Sequence, residues 1–153
     1  ARWQCVTLPA GCGLPVSCWQ QCPEQSCPDQ TCPDTDCADG SYYANAVLWA
    51  SQKGIVNGYG SGLFGPNDPV TREQLAAILY RYAQYKQYGT SASASLSAFS
   101  DAAAVSNYAK VPLSWAVAEK LVNGTDGKLL PRASATRAQV AAILHRFVEN
   151  ITK

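Results

Sequence analysis

Apolar positions repeat along this chain with a helical period, twice. Leu75, Ile78, Leu79 and Tyr82 fall at i, i+3, i+4 and i+7, which is one buried stripe on an α-helix. Val140, Ile143, Leu144 and Phe147 repeat the stripe 65 positions later. The polar positions repeat with it. Between Val70–Tyr82 and Ala135–Phe147, the Thr, Arg, Gln, Ala, Ala, Ile, Leu and Arg recur in place. A match of that length marks a tandem repeat. Thr71 and Thr136 stand where an N-cap belongs, able to accept an orphan amide of the first turn. Arg72 and Arg137 lie off the stripe, and a cation in the first turn opposes the helix dipole. Two readings are open for them: a solvated side chain, or a planar fork of donors gripping an anionic or hydroxyl-bearing ligand.

The pattern ahead of each long helix is similar. Residues 43–53 predict a short helix with Val47, Leu48, Trp49 and Ala50 on its faces, stopped by Gly54. Ile55-Val56 is a short apolar anchor, 57–62 is turn-rich, and Gly65-Pro66-Asn67-Asp68-Pro69 turns the chain into the Thr71 helix. In the second copy Phe99-Ser100-Asp101 leads to a predicted helix around 111–120 that holds Trp115, with Pro112 tolerable in its first turn. Leu121-Val122-Asn123-Gly124 and Pro131 then echo the first copy. Residues 89–98 read as a Ser/Ala linker of low complexity. Neither helix pair is large enough to stand alone, so the copies are expected to share a core. The expected fold is mainly α: tandem helix-loop-helix units, preceded by an irregular, disulfide-stapled segment. The boundaries are 1–40 (cysteine-rich), 41–88 (first copy), 89–98 (linker) and 99–150 (second copy).

All seven cysteines (Cys5, Cys12, Cys18, Cys22, Cys27, Cys32 and Cys37) lie in that first segment, with Pro9, Pro15, Pro23, Pro28 and Pro33. So short a stretch cannot bury a core, and disulfides in an oxidising, extracellular setting are the expected remedy. From Cys22 a Cys-Pro pair recurs every five residues, a run of turns rather than strand or helix. Three readings stay open: bridges within the segment, bridges between copies of the protein through the odd cysteine, and thiolate metal binding. The four-residue gaps and the lack of a nearby histidine weaken the last, and no metal site is expected. Asp34, Asp36 and Asp39-Gly40 miss the spacing of a calcium loop.

A net charge of +1 with 15% charged residues shows no footprint for nucleic acid. No apolar run reaches the ~20 residues that span a bilayer. Without a signal-like opening, Ala1 reads as a mature or trimmed start. For catalysis there is little: His145 is the only histidine and stands where the other copy has Tyr80. No nucleophile-base set can be assembled, and Asp29/Asp34 and Glu73/Asp68 carry no pocket argument for glycoside cleavage. No enzyme and no cofactor are expected. Asn123-Gly124-Thr125 and Asn150-Ile151-Thr152 match the N-glycosylation pattern.

The order aromatic-x-Asp, helix, Gly-Ile-Val-x-Gly, Phe-x-Pro, Thr-Arg-x-Gln resembles the S-layer homology (SLH) motif. It is written here as Tyr43–Ala46, Gly54–Gly58, Phe64-Gly65-Pro66 and Val70–Gln74, then as Phe99–Asp101, Leu121–Gly124 and Ala135–Gln139. The resemblance covers about residues 41–150. It implies a mostly helical spindle, usually of three repeats, that anchors an exported protein to pyruvylated secondary cell-wall polysaccharide or a related glycan at the bacterial surface. By the same resemblance Arg72 and Arg137 contact the anionic sugar. Thr71, Thr136, Gly58, Gly124 and Asp101 shape the groove, and Trp49 or Trp115 faces a sugar ring or belongs to the core. Three departures stand out. Gln74 and Gln139 replace the usual Glu, Asp34-Thr35-Asp36 stands where the first copy's Phe-x-Asp belongs, and only two copies are present. A second chain could supply the third, or the cysteine-rich segment could cap the open side. The alternative function is a structural subunit of an extracellular assembly, packed through the repeats, cross-linked by disulfides and self-associating.

Overall fold

The long helices begin where the threonines place them. Thr71 Oγ1 accepts the Gln74 amide at 3.3 Å while Gln74 Oε1 accepts the Thr71 amide at 2.8 Å. Thr136 and Gln139 make the same reciprocal pair at 3.2 and 3.0 Å. These are capping boxes, each satisfying two orphan donors. Glutamine closes them as glutamate does, which gives a physical role to a residue that departs from the family pattern.

The computed structural model describes residues 36–38 and 40–152, all within a compact unit spanning Thr31–Lys153. Among the described residues four α-helices follow in order: α1 (Ala44–Gln52), α2 (Arg72–Tyr85), α3 (Lys110–Ala118) and α4 (Arg137–Ile151). Short 3-10 turns at Leu96–Ala98, Ala102–Ala104 and Asn107–Ala109 lead into α3. Among the described residues there is no strand, only isolated antiparallel bridges at Thr71–Ser134 and Thr125–Lys128. The mainly α architecture follows the sequence, and α1 and α3 end within two residues of their expected limits. No helix among the described residues is long and apolar enough to cross a membrane.

Each short helix stops at a left-handed residue that sends its last amides back onto the helix. Gly54 (φ +67) does this in the first copy, where the Ile55 amide reaches Ala50 O at 2.8 Å. In the second copy Lys120 (φ +58) takes that position, and the Leu121 amide reaches Ala116 O at 2.8 Å.

The repeats share one core, as the sequence predicts. Leu113, Trp115, Leu121 and Leu129 of the second copy are at most 1% exposed, and they pack with Leu75, Leu79, Ile143 and Phe147. Each such aliphatic side chain contributes roughly 1.5–3 kcal/mol. The Trp115 ring lies edge-on to Tyr80 of α2 at 5.4 Å and to Phe147 of α4 at 6.4 Å, so one side chain joins both long helices. The Ser/Ala segment is not a free tether. The Ala94 amide donates to Ser114 O at 3.2 Å and Ser93 Oγ lies 2.9 Å from Ser114 Oγ, which fastens the segment along α3.

Cys37 is buried at 6% exposure. The readings of Cys5, Cys12, Cys18, Cys22, Cys27 and Cys32 fall outside the described residues.

Candidate functional site

Two aspartates build the loops that precede the long helices. The Asp36 carboxylate accepts the amides of Phe64 and Gly65, both at 2.7 Å. Asp101 accepts those of Leu129 and Leu130 at 2.8 and 2.7 Å. Asp36 lies 65 positions before Asp101 and does the same work for its own loop. The Phe64 and Gly65 amides hold the Asp36 pKa below the usual carboxylate value against a little burial. At Asp101 burial pushes the pKa up, but the Leu129 and Leu130 amides outweigh it and leave it lowered.

The second copy's loop covers the start of α2. The Arg72 amide donates to Ala133 O at 3.0 Å, the Glu73 amide to Pro131 O at 2.9 Å, and the Ala135 amide to Val70 O at 2.9 Å. Arg72, 7% exposed, donates its Nε to Leu129 O at 2.8 Å. Burial lowers its pKa, opposed by the nearby Asp101 carboxylate. Glu73, 5% exposed, accepts from the Ser106 amide, from Ser106 Oγ at 2.8 Å and from the Tyr108 hydroxyl at 3.2 Å. The first-turn arginine thus donates to a carbonyl of the next repeat and lies in the field of its Asp101 carboxylate, which answers the opposition of its charge to the helix dipole.

Beside this joint lies a groove of about 390 Å³, between residues 56–70, one face of α2 and Tyr108. Asn57, Gly58, Tyr59, Asp68, Gln74 and Arg81 line it. Tyr59 is hydrogen-bonded to Asp68, which with burial raises its pKa, while a bond to Gln74 opposes the rise. Gly65 makes this cluster sterically possible. A Cβ there would stand 2.5 Å from the Tyr59 ring and 2.6 Å from Asp68 Oδ2, and its φ is +70. Burial and then the Glu73 carboxylate push the Tyr108 hydroxyl up to about 12, against Arg81 and Arg132. It therefore stays a proton donor at neutral pH. Two phenols, a carboxylate, an amide and guanidinium groups so placed can pair with hydroxyls and with an anion.

The expected site residues are distributed unequally. Gly58 lines the groove, Thr71 caps its helix, and Asp101 holds the covering loop. Gly124 (φ +74) lies under the Phe99 ring, where a Cβ would come within 2.6 Å of Phe99 Cε1. Of the two readings open for Trp115, the structure has the core: it is 1% exposed within the shared cluster. Arg72 is likewise enclosed by the second repeat rather than presented to solvent. Trp49 is 41% exposed, edge-on to Tyr85 at 5.8 Å, and does not line the groove. Thr136 and Arg137 are exposed on α4. Read from sequence, none of Tyr59, Arg81 and Tyr108 stands out as a site residue, and Asp68 is only a turn residue and a carboxylate paired with Glu73 without a pocket. Arg81 was the detectable one, because it recurs as Arg146 off the apolar stripe. In the second copy that arginine donates Nη1 to Leu121 O at 3.1 Å.

Comparison with known proteins gives the arrangement its relatives. The family model described as S-layer homology domain matches residues 35–76 and 98–141. An amylopullulanase of Thermoanaerobacterium thermosulfurigenes is 36% identical over 115 residues, 72% of this chain and 6% of that protein. The exoglucanase XynX of Acetivibrio thermocellus is 33% identical over 116 residues, 72% of this chain and 10% of that protein. A surface-layer 125 kDa protein of Lysinibacillus sphaericus is 35% identical over 115 residues, 72% of this chain and 9% of that protein. The chain therefore spans a tenth or less of the length of these relatives.

Proposed function

The chain belongs to the S-layer homology domain family, a family of non-catalytic modules of cell-surface proteins, and from that premise we propose that it anchors an exported protein to bacterial cell-wall polysaccharide through the groove beside α2. The observation that carries the reading is the convergence of Tyr59, Asp68, Arg81 and Tyr108 on one cavity. A sugar ring suits that set. The Tyr59 ring offers an apolar face, Asp68 accepts from vicinal hydroxyls, Asn57 accepts from and donates to them, and Tyr108, whose proton goes to Glu73, offers its oxygen as an acceptor. Arg81, with Arg132 acting on the same phenol, suits the carboxylate of a pyruvyl ketal or another acidic substituent. Arg72 acts in this reading as a positioning residue that fixes the joint between repeats. The similarity to an amylopullulanase, an exoglucanase and a surface-layer protein supports a module shared by proteins of different activity.

The test is co-sedimentation with purified cell walls of an SLH-bearing bacterium, before and after mild acid removal of pyruvyl groups. Binding that falls at least tenfold in Arg81→Ala and in Tyr108→Phe, with folding retained, is the expected result. Equal binding by both variants would remove the groove from the function. Equal binding to depyruvylated wall would leave the glycan but exclude the ketal.

A further inference from the structure

Glu73 is an enclosed carboxylate that its own helix does not require. Ala138 holds the same place on α4, and the capping box closes through Thr71 and Gln74 without it. Burying a carboxylate is costly unless donors fill it. At 5% exposure Glu73 is filled by three, all from the second repeat: the Ser106 amide at 3.1 Å, Ser106 Oγ at 2.8 Å and the Tyr108 hydroxyl at 3.2 Å.

Two of these donors fasten a turn, and the third belongs to the groove. Ser106 is the N-cap of the Asn107–Ala109 turn, and Val105 and Ala109 on either side are buried in the core. The backbone carrying Tyr108 is therefore fixed already. Its side chain is half exposed, and the hydroxyl bond to Glu73 directs it along α2. Glu73, Ala77 and Arg81 follow at i, i+4 and i+8 on one face of that helix. Ala77, Arg81 and Tyr108 line the groove, whereas Glu73 lies behind them and reaches it only through Tyr108.

The direction of that bond decides what the groove asks of a ligand. A carboxylate only accepts, so the phenol proton points at Glu73 and the phenol oxygen is left to accept from the groove side. The Arg81 guanidinium acts on the same hydroxyl and can only donate. A group placed between the two must give a proton to Tyr108 and gains by accepting from Arg81. A hydroxyl does both. A carboxylate accepts from Arg81 but sets its charge against an oxygen backed by Glu73.

We propose that Glu73 is a positioning residue of the groove: by taking the Tyr108 proton it makes the corner between Tyr108 and Arg81 a subsite for a free sugar hydroxyl and turns an acidic group away from it. The inference rests on the reading of the groove as a glycan site. An acidic substituent is then held by guanidinium donors away from the phenol oxygen.

The sign of one effect tests this. With a hydroxyl at the corner, Glu73→Ala frees Tyr108 to turn and weakens binding to purified cell walls about fivefold, the worth of one neutral hydrogen bond. With an acid there, the same change removes a repelling charge and frees the phenol proton to donate. Tighter binding by Glu73→Ala therefore overturns the proposal. In a Tyr108→Phe background Glu73→Ala should change binding no further, and losses that multiply would show that Glu73 acts by another route. Ser106→Ala, which keeps the Tyr108 bond, should lose stability and bind as the parent chain does. Binding as weak as that of Glu73→Ala would reduce Glu73 to a clamp on the turn.

A second readout needs no glycan. With tyrosine isotope-labelled at Cζ, the Tyr108 resonance is identified by its loss in Tyr108→Phe. It should shift in Glu73→Ala and stay in Ser106→Ala, and an unmoved resonance in Glu73→Ala overturns the proposal. Glu73→Gln keeps the shape of the side chain and removes its charge. It should move both readouts in the same direction, and it carries the test if the alanine variant does not fold. Wild-type binding by Glu73→Ala alone removes only this inference. Wild-type binding by Arg81→Ala and Tyr108→Phe as well removes the groove, and the inference with it.

Discussion

Arg72 and Asp101 hold a single residue, Leu129, from its two sides. Arg72 Nε donates to its carbonyl at 2.8 Å and the Asp101 carboxylate accepts its amide at 2.8 Å. One residue belongs to the first repeat and the other to the second, so the pair fixes the loop between them in place. Losing a charged partner of an enclosed hydrogen bond costs about 1.5–3 kcal/mol. Arg72→Ala should lower the stability to urea by that amount, and Arg72→Lys should recover little of it, since an ammonium on a flexible stem does not reproduce the guanidinium geometry. Arg137→Ala, at an exposed position of the monomer, should change it by less than ~0.5 kcal/mol. Equal losses in the two alanine variants would contradict this division of roles.

The two aspartates set the acid limit of the fold. Both have pKa values lowered from 3.8 in the folded state, Asp36 chiefly by the Phe64 amide and Asp101 by the Leu129 and Leu130 amides acting against burial. A depressed carboxylate contributes stability that is complete above its unfolded value and is lost as pH falls through the folded one. The melting temperature should therefore hold from neutral pH down toward 4 and drop below 3.8. In the Asp36→Asn, Asp101→Asn double variant the protein should melt lower at neutral pH and show a smaller acid drop. An unchanged acid profile would assign the transition to other groups.

Lys120 is a side chain placed where the backbone favours glycine. Its φ of +58 matches the +67 of Gly54 at the corresponding helix end. The left-handed conformation costs an L-residue about 1–2 kcal/mol, partly offset by the greater unfolded freedom of glycine. Lys120→Gly should raise stability by up to about 1 kcal/mol. Gly54→Ala should lower it by a similar amount, although no atom lies within 4 Å of the added Cβ. Thermal melts of the two variants, moving in opposite directions, check the argument.

The tryptophans of the two repeats should respond differently to truncation. Trp115 is enclosed between Tyr80 and Phe147, and its replacement by alanine should cost about 3–5 kcal/mol. Trp49 rests on Tyr85 with 41% of its surface exposed, and Trp49→Ala in the monomer should cost about 1 kcal/mol or less. Comparable losses would mean that the two repeats bury their short helices alike.

The sequence by itself determined the repeat, its helices and their caps. These depend on local relations: a 3.6-residue apolar period, a threonine three residues before a glutamine, a glycine past a helix end. It also carried the family likeness, which rests on ordered motifs rather than on contacts. Tertiary structure decided which copy of each motif is buried. Arg72 and Arg137, and Leu79 and Leu144, are near-identical in local sequence, and Trp115 and Trp49 hold corresponding places on the short helices; the members of each pair differ in exposure because an internal joint covers only one of them. The groove was equally a product of packing, since Tyr59, Asp68, Arg81 and Tyr108 come from a loop, a helix and the next repeat. Local sequence encodes the elements, but burial depends on which neighbour covers each face, and that is a relation between repeats rather than within one.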